Sequence, residues 1–219
     1  MCGRFTQRHT WQQIHAHLTG FLEALEDDSW AANLTPRYNV SPGQMLLAVR
    51  GTQPSEVVEL KWGLIPSWAK DPKIAFQCLN ARSETVASKP AFRSAYKSRR
   101  CLIPADGYFE WRREGKQKLP YLYEFDSGQL FTFAGLWERW NDVETCALLT
   151  TEANPLAAEV HDRMPVIIQP EDWTAWLQGE PIPLVPASAE GMTARPVSTY
   201  VNNSRHEGPE CVAPGKADE

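Results

Sequence analysis

Residues 100–113, Arg100-Cys101-Leu102-Ile103-Pro104-Ala105-Asp106-Gly107-Tyr108-Phe109-Glu110-Trp111-Arg112-Arg113, read as a strand, a corner and a second strand. Arg100–Ile103 is short and apolar, and Gly107–Arg113 is rich in aromatic residues that suit a pleated surface. Three more segments of this kind follow, Tyr121–Phe125, Leu130–Trp137 and Thr145–Thr150. Turn residues at Glu114-Gly115, Ser127-Gly128 and Asn141-Asp142 are spaced for antiparallel hairpins. The expectation is a mainly antiparallel, barrel-like β core.

Outward from this centre the pattern is mixed. Upstream, Trp11, Ile14, Leu18, Phe21, Leu22 and Leu25 recur at helical spacing, and Thr10 with Gln13 has capping-box form, so Thr10–Leu25 reads as a helix. Asp27 to Pro36 reads as a polar connection. Arg37-Tyr38-Asn39-Val40-Ser41-Pro42-Gly43 leads into strands at Met45–Val49 and Glu56–Trp62, joined by a turn at Gly51 to Pro54. Trp62 to Trp68 holds a glycine and a proline and reads as a shaped loop. A basic segment runs from Lys89 to Arg100. Downstream, short helices are expected at Pro155–Val160 and Glu171–Leu177, strands at Val166–Ile168 and Pro196–Val201, and a loop at Pro181–Ala194. From His206 to Glu219 the chain is polar with Gly and Pro, and disorder is expected there. The fold class is α+β, one domain over residues 1–205 with helices outside the β core.

The chain has 219 residues, enough for a sizeable core, and a net charge of −5, which argues against indiscriminate coating of DNA but leaves room for a local basic groove. Five cysteines, at 2, 78, 101, 146 and 211, are odd in number, scattered and without a CxxC pair. Neither a disulfide framework nor a zinc ribbon is indicated. His9, His15 and His17 do not share one helical face and read as solvated histidines. No metal and no cofactor is called for. No signal peptide and no membrane-spanning apolar run stands out, so a cytoplasmic protein that acts as a monomer is expected. Nine tryptophans are many, and some suit stacking as well as packing.

Met1-Cys2 carries the most distinctive chemistry. Removing Met1 would leave an α-amine, with a reference pKa of roughly 7.7–8.0, two carbons from a thiol. Such a 1,2-aminothiol condenses with an aldehyde to an imine that sulfur closes to a thiazolidine. Position alone also fits a cysteine there by accident. Asn80 and Arg82 alternate, so in an extended segment both face the same way. Glu110 sits among Tyr108, Phe109 and Trp111; desolvated there, its pKa would rise to suit a general acid or base, or it is an exposed strand residue. His161 follows the end of a helix and reads as structural or catalytic. Arg4, Arg82 and Arg163 suit phosphate or carboxylate pairing.

Taken together, these stretches resemble the SRAP (SOS response-associated peptidase) family of abasic-site-processing proteins. The resemblance runs through Met1-Cys2-Gly3-Arg4-Phe5, Arg37-Tyr38-Asn39-Val40-Ser41-Pro42, Trp62-Gly63-Leu64-Ile65-Pro66 and Asn80-Ala81-Arg82-Ser83-Glu84-Thr85. It continues through Pro104 to Trp111, Gly135-Leu136-Trp137, His161-Asp162-Arg163-Met164-Pro165 and Val201-Asn202-Asn203. It implies a β-rich domain that binds single-stranded DNA and captures the aldehyde of an abasic site as a covalent DNA–protein cross-link, with AP lyase activity and self-reversal. It implies that Cys2, exposed by autoproteolysis or an aminopeptidase, supplies amine and sulfur, with Asn80, Glu110 and His161 catalytic. Arg4, Pro42, Trp68, Arg82 and Arg163 are implied to contact DNA. Two other classes compete: a cysteine peptidase or amidohydrolase using Cys2, and a non-catalytic single-strand-binding module.

Overall fold

A strand that is apolar along its whole middle has to be covered on both sides. The computed structural model, which describes residues 2–19, 34–51 and 55–215, shows one, and it organises the fold. The strands are β1 (Phe5–Gln7), β2 (Arg37–Val40), β3 (Met45–Arg50), β4 (Glu56–Trp62), β5 (Asn80–Arg82), β6 (Arg100–Ala105), β7 (Gly107–Glu114), β8 (Gln117–Phe125), β9 (Phe131–Trp140), β10 (Val143–Glu152), β11 (Arg163–Pro165), β12 (Ile167–Ile168) and β13 (Met192–Pro196). The helices are α1 (Trp11–Thr19), α2 (Arg93–Ser98), α3 (Pro155–Ala158) and α4 (Trp173–Leu177).

The strand in question is β10, buried from Thr145 to Thr151. It pairs antiparallel with β9 from Val143↔Trp140 to Leu148↔Gly135, and parallel with β4 at Thr145↔Lys61 and Cys146↔Trp62. Since β4, β3, β6 and β9 are already neighbours in that order, these two pairings close a five-stranded barrel. Beyond the barrel, β10 continues between β5, which it meets in parallel at Leu148↔Asn80 and Thr150↔Arg82, and β11, antiparallel at Glu152↔Arg163. A second, antiparallel sheet in the order β13-β8-β7-β1-β2 packs its Phe5, Tyr108 and Tyr123 against Trp62, Cys101, Phe133 and Leu148 of the barrel. A separate apolar cluster joins Trp11, Ile14 and Leu18 of α1 and Trp173 and Trp176 of α4 to Leu47, Leu102 and Leu136. The α+β class and the barrel-like core expected above are therefore present.

The differences are local and have causes. Helix α1 is described as far as Thr19; its expected continuation to Leu25, the connection from Asp27 to 33 and the turn residues 52–54 lie outside the described residues. The three histidines are not simply solvated. His9 Nδ1 lies 3.0 Å from Asp106 Oδ2, and the rings of His15 and His17 pack edge-on against Trp11 and Trp173. The basic segment 89–100 contains α2, and Arg100 points inward, giving its protons to the carbonyls of Tyr96 and Glu180. The strand expected at Pro196–Val201 ends at Pro196 instead; Ser198 Oγ accepts from Tyr200 N and turns residues 199–202 into a 3-10 helix.

The tail expected to be disordered from His206 is seated on the second sheet as far as Gly215. Glu207 accepts from the backbone N–H of Tyr38, Ser198 N donates to Ala213 O at 2.9 Å, Gly215 N donates to Pro196 O at 3.1 Å, and Cys211 is buried. Its polar composition reflects backbone bonding along a sheet edge, not freedom. Residues 216–219 lie outside the described residues.

Candidate reactive site around Cys2

Strand β1 brings the N-terminal residues alongside β7. Phe5 is level with Tyr108, Thr6 with Gly107, and Phe109 N donates to Arg4 O at 3.0 Å. Gly107 permits this closeness: a Cβ there would meet the Thr6 hydroxyl and Leu122 at 2.9 Å. Extending the register puts Glu110 level with Gly3, beside Cys2. Both are sealed, Cys2 at 0% and Glu110 at 4% exposure. On the other side, β5 presents Asn80, whose Nδ2 donates to Cys2 O at 2.9 Å. Asn80 Oδ1 is buried and has no hydrogen-bond partner among the described residues.

Two acidic groups here are displaced in the same direction. Burial pushes the Cys2 thiol well up, and the charge of Glu110 adds to it. Burial also raises the Glu110 carboxyl above its ordinary value, against the pull of His161. A raised carboxyl is the condition under which glutamate can carry a proton near neutrality. His161 stands just after α3, its N–H bonded to Ala157 O at 3.0 Å. Its Nδ1 lies 3.0 Å from Arg163 N, which donates to it, and 2.9 Å from Asp162 Oδ1.

Of the groups expected to touch DNA, some are free and some are engaged. Arg82 is exposed on β5, and no hydrogen bond or ion pair holds its guanidinium among the described residues. Trp68 is 59% exposed on the turn in which Ala69 N donates to Pro66 O. Pro42 is half-buried in a turn tied to the same loop by Gly43 N donating to Trp62 O at 2.7 Å. That loop starts at Gly63, whose φ of +127° few side chains tolerate. Arg4 is instead an internal pin. Its Nη1 donates to Asn39 Oδ1 at 2.6 Å and Val201 O at 2.9 Å, and its guanidinium lies 5.6 Å from the Trp111 ring centre. Arg163 forks onto both carboxylate oxygens of Glu84 and donates to Thr150 O at 2.8 Å. Lys89, Arg93 and Lys97 are exposed in and just before α2.

Sequence reasoning gave Tyr108 only as an apolar flank of Glu110 and passed over Tyr123. Their rings stack at 4.8 Å and 9°. The register of β7 and β8, with Tyr108 level with Tyr123 and Glu110 with Tyr121, puts all four on one face of the sheet. Period-two alternation in both strands was the available signal. Among the described residues no three His, Cys, Asp or Glu side chains form a group able to hold a metal ion, all five cysteines are free, and no helix is long and apolar enough to cross a membrane.

The SOS response associated peptidase (SRAP) family matches residues 1–204, nearly the whole chain. The chain belongs to the SRAP family. Similar members include the abasic site processing protein YoqW of Bacillus subtilis, 38% identical over 97% of this chain and 99% of its own length. YedK of Escherichia coli, of the same description, is 30% identical over 98% of this chain and 100% of its own. HMCES of Xenopus tropicalis is 32% identical over 81% of this chain and 66% of its own length. A solved structure from Bacteroides thetaiotaomicron superposes with a TM-score of 0.84 at 26% identity, covering 98% of this chain and 100% of that one. Family membership makes DNA with abasic sites the substrate class to weigh against the geometry.

Proposed function

We propose that the protein captures the ring-opened aldehyde of an abasic site in single-stranded DNA as a thiazolidine on Cys2. The observation that carries the reading is the enclosure of Cys2 between Asn80, bonded to its carbonyl, and the raised carboxyl of Glu110. Once Met1 is removed, the Cys2 amine adds to the aldehyde carbon to give a carbinolamine. Loss of water gives the imine, and sulfur adds to the imine carbon as nitrogen takes up a proton. Glu110 supplies the proton that water leaves with, and takes the one sulfur gives up. The same group run backwards protonates the ring and reopens the adduct. Asn80 Oδ1 orients the amine, and His161 Nε2–H donates to the sugar oxygen; imine formation also acidifies the neighbouring sugar carbon, which permits strand cleavage by β-elimination. Arg82 binds a flanking phosphate and Trp68 offers its face to a base.

The test is a denaturing gel of the Met1-processed protein with an oligonucleotide carrying one abasic site. Wild type is expected to give a heat-stable adduct, faster on a single strand than on the matched duplex and slower as salt rises. Cys2→Ser should give only a Schiff base trapped by borohydride. A protein with its N-terminus blocked by an extension should give nothing; an undiminished adduct from it overturns the reading.

A further inference from the structure

In the cluster around Cys2, packing alone is served by phenylalanine at positions 5, 131 and 133. At 108 and 123 the chain spends tyrosine. Tyr108 is 1% and Tyr123 0% exposed, and neither hydroxyl has a hydrogen-bond partner among the described residues. A buried donor without an acceptor is costly, and phenylalanine would fill the same space without that cost. The two hydroxyls lie on the sheet face that carries Glu110, and the tyrosine of β7 is level with Phe5, three residues from Cys2.

We propose that Tyr108 and Tyr123 are positioning residues of this site, their sealed hydroxyls kept as donors for the two anions the site must form, the Cys2 thiolate and the Glu110 carboxylate. The proposal rests on the adduct-forming reading and assigns how that chemistry is sustained in an apolar enclosure. The thiol has to lose its proton beside a carboxyl group and away from water, where an added hydrogen bond to sulfur has its largest effect. The titratable neighbours facing the pair are Cys2, Glu110, Tyr121 and Glu159, with His161 and Asp162 acting on Glu110. Burial pushes both phenols upward, and the negative charges of Cys2 and Glu110 push Tyr108 further, so both keep their protons across the working range. Tyr108 serves sulfur and Tyr123 serves the carboxylate.

Tyr108→Phe and Tyr123→Phe in the full, Met1-processed chain separate this from a packing role. Three measurements are needed: the thermal midpoint, the pH profile of Cys2 alkylation by iodoacetamide followed on the Cys2 peptide by mass spectrometry, and the rate of adduct formation with an abasic oligonucleotide. The midpoints should be equal to or above wild type, since a buried unsatisfied hydroxyl is removed. Tyr108→Phe should move the alkylation profile up by about one pH unit. Each variant should slow adduct formation by ~10-fold, the order of one hydrogen bond to a charged group. Wild-type alkylation and adduct rates in both variants would overturn the proposal, as would a fall in midpoint in both, which would make the hydroxyls structural. Should wild type form no adduct while Tyr108→Phe still shifts alkylation, the adduct reading fails and the assignment to the Cys2 thiol stands.

Discussion

Asp106 and Glu110 are two carboxyl groups four residues apart, at 0% and 4% exposure, whose pKa values are displaced in opposite directions. Burial works to raise Asp106, yet hydrogen bonds from His9 and Thr6 and the charge of Arg8 outweigh it and hold the group below its ordinary value. Arg8 reaches it through both its backbone N–H and its Nε, and also bonds Glu124 on β8, so this carboxylate ties β1 to the corner before β7 and onward to β8. At Glu110 burial wins and the carboxyl stays raised. The same desolvation is therefore outweighed at Asp106, where Arg8, His9 and Thr6 converge, and prevails at Glu110.

The comparison breaks most visibly if the two roles can be exchanged. Glu110→Gln should slow adduct formation and reversal by about 10²–10⁴-fold, the usual range for losing a general acid or base. A folded-state carboxyl raised above its unfolded value near 4.3 loses relative stability as pH rises through that value. The same variant should therefore be at least as stable as wild type at pH 7 in a denaturant titration, with any gain gone below about pH 4.

Asp106→Asn should do the reverse. Breaking a buried pair from one side costs about 3–5 kcal/mol, and adduct formation per folded molecule should stay close to wild type. Here the folded value is depressed, so the stabilisation is fully present above the unfolded value near 3.9 and fades as pH falls through the folded one. Urea midpoints at pH 7 and pH 3 measure both ends; a penalty unchanged at pH 3 would show that Asp106 is not held by charge. The smallest effect sharpens the contrast among the arginines. Arg82→Ala should lower the salt dependence of binding to an undamaged single strand by about one counterion, and Arg4→Ala, whose side chain is engaged internally, should instead lower the thermal midpoint.

What could be read from sequence tracks how local each signal is. Hairpins announced themselves through residues with demanding backbone angles: Asn141 has a φ of +50° and Gly115 of +58°, both at expected turns. The alternation of Asn80 and Arg82 likewise became a real strand, β5. A barrel-like core was expected, but not which strands close it, because the parallel pairing of β10 with β4 and β5 joins segments about 70–85 residues apart with no turn between them to mark it. The states of Arg4 and Arg163 were hidden for the same reason. An arginine reads alike in sequence whether it meets solvent or, as here, Asn39 and Val201 or Glu84. The raised carboxyl of Glu110 was legible from its aromatic flanks; the converging donors on Asp106 come partly from β1 and its following turn, a hundred residues earlier.

The strap formed by residues 198–215 has a practical consequence for anyone handling this protein. Arg4, two residues from Cys2, holds Val201 of the strap, and Asn39, which also receives Arg4, holds the carbonyls of Asn203 and His206. Purification handles are customarily hung on one end of a chain or the other. On the proposed chemistry the front end has to be free, and the rear strap braces the residues behind it, so a cut or bulky fusion within the strap would loosen the bench on which Cys2 is mounted. An affinity peptide or dye is better inserted at the Asn141-Asp142 hairpin, where the Asp142 side chain is fully exposed.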